Sequence, residues 1–155
     1  MTRAEFEQKM LKEKLEAVEK ENGRLNAGCT AEELKIFEQK VLEKFKYELP
    51  EEYIKFLSVV NGLEFNGLIL YGIDESILDR KNAQIVTGYI DSNEIWYENE
   101  WQKEYMFFGD ADISWYCLDV SKNVFVELDK PSGSLMQEFE SFEGMLEYAL
   151  GNCLD

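Results

Sequence analysis

The stretch LPEEYIKFLSVVNGLEFNGLILYGI, residues 49–73, changes periodicity in its middle, and that change decides the fold class. Up to Val60, the apolar residues Tyr53, Phe56, Leu57 and Val60 recur at three-to-four spacing, the buried stripe of an amphipathic helix. Pro50 suits the first turn of that helix, where its missing N–H costs nothing. Glu51 and Glu52 suit the positive end of the helix dipole. Asn61-Gly62 ends the helix, and from Leu63 the pattern is that of a strand pair. Residues 63–65 and 68–73 flank Asn66-Gly67, a two-residue hairpin turn whose central positions both need positive φ.

Working toward the N-terminus, Thr30-Ala-Glu-Glu33 fits a capping box: the Thr30 hydroxyl accepts from the Glu33 N–H while the Glu33 carboxylate reaches back. The helix it opens places Leu34, Phe37, Val41 and Phe45 on one face. Before it, residues 2–21 read as a further helix, with Phe6, Met10, Leu11, Leu15 and Val18 as its stripe and Glu5–Lys9 and Glu16–Lys20 as i,i+4 pairs in the favourable order. Asn22-Gly23 and residues 26–28 break it, which makes residues 22–29 the only candidate boundary. Residues 1–28 are therefore expected to be a helical extension and residues 29–155 the main domain.

Working toward the C-terminus, residues 74–84 read as a loop and 85–89 as a short strand. Asp91 or Ser92 is positioned to cap a helix running to about Trp101. Residues 105–108, 114–120 and 124–128 are strand candidates rich in aromatic and β-branched residues. Pro131-Ser-Gly-Ser134 is a turn, residues 135–139 are a further strand, and Ser141 caps a helix that buries Phe142, Met145, Leu146 and Leu150. Strands in a run flanked by helices indicate an α+β domain.

Composition removes whole classes of function. There is no histidine among the 155 residues. No Ser-His-Asp or Cys-His nucleophile, His general base or His-containing metal site can be built. Cys29, Cys117 and Cys153 match no CxxC spacing and cannot make a four-cysteine zinc site. No metal and no cofactor is expected. An odd cysteine count, with a charged amphipathic stretch after Met1 in place of an apolar leader, points to reduced thiols in a cytoplasm. No apolar run approaches the roughly 18 residues of a membrane span.

The formal net charge is −16. It argues against nucleic acid as a partner and favours a basic one. The charge is uneven. Residues 1–48 hold 11 acids and 10 bases, a net of −1, whereas residues 49–155 hold 21 acids and 6 bases, a net of −15. An acidic surface serves solubility, and it also serves as an electrostatic landing surface for a cationic protein.

The segment Leu49-Pro-Glu-Glu-Tyr-Ile-Lys-Phe-Leu57 followed by Asn61-Gly62 resembles the opening of the SUKH superfamily, the Syd- and Smi/Knr-like proteins. Phe108-Gly109-Asp110 is similar to the family's Gly-containing turn. Tyr116-Cys-Leu-Asp119 is similar to its strand ending in Asp. Residues 124–129 resemble the next strand, and residues 141–150 resemble the closing Ser-Phe helix. The resemblance spans about residues 30–150. It implies an α+β fold with a mixed, mainly antiparallel sheet and helices packed against it, to which this chain adds an N-terminal helix. It also implies an immunity protein, non-enzymatic, that binds and neutralises a cognate bacterial toxin by occlusion, as in polymorphic toxin systems. The alternative from the same superfamily is a regulatory scaffold of the Smi/Knr type with no toxin partner.

No toxin-binding residue follows from the motif, so candidates come from the residues themselves. Acids cluster with aromatics at residues 91–115. Asp91, Glu94, Glu98, Glu100, Trp101, Glu104, Asp110, Asp112 and Trp115 form the candidate partner-binding set, with aromatic anchors among acids that complement a basic toxin. A solvated face remains the competing reading, as does a carboxylate pair at Glu94 and Glu98 for acid/base work. Asp110-Ala-Asp112 starts like a calcium loop but has Trp115 where glycine is needed and Ser121 where glutamate is needed. Cys117 reads as a small core hydrophobe, whereas Cys29 and Cys153 read as exposed. The N-terminal helix either packs on the domain or mediates self-association or partner contact.

Overall fold

The computed structural model describes residues 2–21, 25–82, 84 and 86–154. Five helices accompany a six-stranded sheet. The order is α1 (Arg3–Lys20), α2 (Ala31–Phe45), α3 (Glu51–Val59), β1 (Leu63–Phe65), β2 (Leu68–Leu70), α4 (Tyr89–Trp96), β3 (Tyr105–Asp110), β4 (Ser114–Asp119), β5 (Val124–Asp129), β6 (Leu135–Phe139) and α5 (Phe142–Leu154), with 3₁₀ turns at Glu75–Ile77 and Glu100–Glu104. The strands form a meander in sequence order, every neighbouring pair antiparallel. The fold is α+β. The parallel component expected of the sheet shrinks to one isolated bridge, Gly72 to Gly88.

Local chemistry accounts for the clearest boundaries. Thr30 and Glu33 make the reciprocal capping box, Glu33 N to Thr30 Oγ1 at 3.1 Å and Thr30 N to Glu33 Oε1 at 2.9 Å. Thr2 and Glu5 repeat it at α1. Asn66 and Gly67 turn the β1–β2 hairpin with φ of 49° and 87°. Asn61 is wholly buried and does more than end α3. Its Oδ1 accepts from Ile73 N at 2.8 Å, which ties the helix end to the segment beyond β2.

Aromatic residues pack both faces of the sheet. On one face Phe108 meets Tyr53 of α3 and Phe142 of α5 at centroid distances of 4.8 and 5.3 Å. On the other, Phe107 and Trp115 meet at 5.8 Å, and Trp96 of α4 lies against both. α2 packs on α3, and α1 lies over α5, burying Leu11, Leu15 and Val18.

Two expectations are corrected here. No strand forms over residues 86–89, because Tyr89 already opens α4; Ile85 lies outside the described residues, as do Asn22 and Gly23. Phe108-Gly109-Asp110 is not a turn but part of β3, with a register shift between Phe107 and Gly109.

Candidate functional site

α4 carries the first half of the candidate surface, and it starts at residue 89 because of a side chain far back in the sequence. Neither Asp91 nor Ser92 caps it. The buried Asp74 carboxylate accepts from the Ile90 and Asp91 N–H groups, both at 2.9 Å. Burial pushes the Asp74 carboxyl above its ordinary range, and those two N–H groups pull against that rise. Asn93, fully buried, then clamps α4 to the sheet. Its Oδ1 accepts from Phe107 N at 3.0 Å and its Nδ2 donates to Phe107 O at 3.0 Å, so the amide imitates a neighbouring strand.

On the outer side of this support, Asp91, Glu94, Glu98, Glu100 and Glu104 are exposed, with Trp101 at 38% exposure among them. Asp112 is exposed in the turn between β3 and β4, beside Ile113. Two of the acids are engaged by the chain's own cations: Glu94 with Lys44 of α2 at 2.9 Å and Glu100 with Lys103 at 2.8 Å. Glu98 is exposed, while Glu94 is held by Lys44 at the side of an open cleft that it shares with Asp74 and Asp91.

Asp110 and Trp115 turn inward. Asp110 is 8% exposed, accepts from the Tyr71 hydroxyl and pairs with Lys130 at 3.1 Å. The Lys130 ammonium lies 5.6 Å from the centre of the Trp96 ring. Trp115, at 4% exposure, sits between Trp96 and Trp101 at centroid distances of 5.5 and 5.7 Å. A partner laid on this surface would meet the other candidates rather than these two. Among the described residues no group of three or more acids and cysteines is placed to hold a metal ion.

The thiols correct a further expectation, because Cys29 is buried and Cys153 half-buried rather than exposed; burial pushes the Cys29 thiol up to about 12, so it is protonated at neutral pH. Cys117 is buried as expected, and burial raises its thiol as well.

Two features escaped the sequence. One is a carboxyl pair made across helices: Glu143 of α5 is pushed up to about 7, first by burial and then by a hydrogen bond to Glu52 of α3. Glu52 in turn accepts from Phe142 N at 2.8 Å, so the pair joins the starts of α3 and α5. The other is a cleft of about 970 Å³ where the α2–α3 junction meets the sheet. Leu49, Met106, Leu118 and Phe125 form its floor, and Glu48, Glu51 and Glu138 stand on its rim. These glutamates come from segments some ninety residues apart, a separation that no spacing rule detects.

The sequence model of the SMI1/KNR4 family (SUKH-1) matches residues 28–148. The chain belongs to that family. None of the curated proteins compared with it matches. The SMI1/KNR4 segment begins just before the Thr30 capping box and ends inside α5, so it takes in the whole sheet, the cleft and the α4 surface and leaves out α1. No helix among the described residues is long and apolar enough to cross a membrane.

Proposed function

We propose that this SMI1/KNR4-family protein is an immunity-type binding protein of the cytoplasm that neutralises a cognate bacterial toxin by covering it, without chemistry of its own. The observation that carries the reading is the concentration of charge from the Leu49-Pro50 motif onward: a net of −15 over residues 49–155 against −1 before it. A surface so charged attracts a cationic protein, speeds its encounter and makes the complex salt-sensitive. A binding role also agrees with a chain that has no histidine and whose buried thiols are held protonated. The α4 surface (Asp91, Glu94, Glu98, Glu100, Trp101, Glu104 and Asp112) is one candidate contact face.

The family name also covers regulatory scaffolds of the Smi/Knr type, which have no toxin partner. Co-expression with the protein encoded next to it separates the two. The immunity reading expects rescue from that protein's toxicity and co-purification of the pair. Absence of both, with every neighbouring product, overturns it.

A further inference from the structure

Three features of the cleft bear on binding. Three of the acids that line it, Glu48, Glu51 and Glu138, make no ion pair among the described residues, while Glu52, which also lines it, accepts from Phe142 N. No lysine or arginine lines it. It also combines this charge with apolar surface, since the floor of Met106, Leu118 and Phe125 runs out to Val120, which is 46% exposed. One wall, Glu138 and Phe139, belongs to β6, one of the two edge strands of the sheet, which is exposed along most of its length. Acids standing beside an apolar groove select a chain of opposite charge.

We propose that the cleft between the α2–α3 junction and the β6 edge is the docking site for an extended, lysine- or arginine-rich segment of a protein partner, whose apolar residues reach the Met106–Phe125 floor while its cations meet Glu48, Glu51 and Glu138. The proposal rests on the binding role above and adds to it the place and the chemistry of the contact. Acids on an apolar floor supply both halves of such recognition: contact with the floor slows release, and the rim speeds arrival and sets salt dependence.

The probe is a fluorescent twelve-residue peptide of alternating lysine and leucine, titrated by anisotropy into the full chain at low and high salt. The triple variant E48Q/E51Q/E138Q is expected to weaken binding about tenfold at low salt, the sum of three exposed charge contacts, and to flatten the salt dependence. The variant E13Q/E16Q/E19Q, which removes the same charge from the exposed side of α1, is expected to stay within about twofold of the parent, and circular dichroism checks that both fold. Equal loss in the two variants overturns the proposal, since the effect is then net charge alone. So does a tenfold loss from E94Q/E98Q/E104Q with none from the cleft variant, or no salt-sensitive binding at all. The same variants enter the co-expression assay. A cleft variant that still neutralises the toxin as the parent does overturns the cleft and leaves the immunity reading standing. If no neighbouring protein is neutralised, the immunity reading falls, and the peptide titration still decides the cleft.

Discussion

Replacing Gly88 by alanine tests the long-range cap that fixes α4. The φ of Gly88 is −81°, a backbone any residue adopts, so space is the only obstacle. An added Cβ would lie 2.2 Å from Asp74 Oδ2, 2.4 Å from its Cγ and 2.8 Å from its Cα. Rotating the Asp74 side chain clears the first two contacts but not the third, because the Cα is backbone. Relief requires residues 74 and 88 to part. That withdraws the acceptor from Ile90 and Asp91 N–H, a lost cap of about 1–2 kcal/mol. It also strains the hydrogen bonds beside it, Gly72 N to Thr87 O at 3.0 Å and Tyr89 N to Gly72 O at 2.8 Å, and overpacking of this kind costs about 1–3 kcal/mol. The expected total is about 3 kcal/mol, which for a chain of this length lowers Tm by roughly 6–12 °C. Asp74→Ala alone is expected to cost only about 1 kcal/mol, since losing the cap is partly offset by removing a carboxylate that burial disfavours. Because the two residues oppose each other directly, the double variant is expected to fall short of additivity by about 1 kcal/mol or more. Urea unfolding at neutral pH, with unchanged slope, reads all four proteins. A Gly88→Ala variant within about 0.5 kcal/mol of the parent, or strictly additive costs, would refute the steric account.

The Glu52–Glu143 pair makes stability depend on pH with a definite sign. Glu143 rises from 4.5 to about 7 in the folded protein, so between those values the folded state keeps a proton that the unfolded state releases. Stability is full below about pH 4.5 on this account and falls as pH rises through 7, by about 1 kcal/mol once solvent screening of a half-exposed carboxyl is allowed for. Glu143→Gln should flatten that slope in urea melts, and an unchanged slope would remove the pair from the account. Asn93→Ala strands the N–H and C=O of Phe107 in the interior and should cost about 2–4 kcal/mol in urea melts. In thiol titration at neutral pH, half-buried Cys153 should react first; Cys29 and Cys117 should react only on unfolding, and fast modification of Cys29 would contradict its burial.

What could be read from the sequence was local. The Thr30 box, the Asn66-Gly67 turn, the α3 stripe and the aromatic strands all announce themselves within a few residues, and the structure places each where the pattern does. What could not be read depends on contacts across the chain. The α4 start is set by Asp74, sixteen residues before Ile90, so Asp91 and Ser92 looked like caps without being needed as caps. Cys29 follows a stretch that reads as a break, yet its N–H bonds Leu57 O at 2.8 Å and it is drawn into the core against α3. Asp110 and Trp115 share the acidic, aromatic character of their neighbours, and only the pairing of β3 with β4 shows that both are enclosed. The exposure of the acids at residues 91–104 and 112 was legible in the sequence, and the enclosure of Asp110 and Trp115 was not. The cleft rim, drawn from residues 48–51 and 138, was not legible at all.

The packing of α1 on α5 also has a consequence for synthesis. α1 emerges from the ribosome with Leu11, Leu15 and Val18 bare, and the main part of its seat is made when residues 142–154 follow. α2, α3, α4 and all six strands are translated in between, a delay on the order of ten seconds at about 5–20 residues per second. For that interval the nascent chain carries an amphipathic helix without its main docking partner.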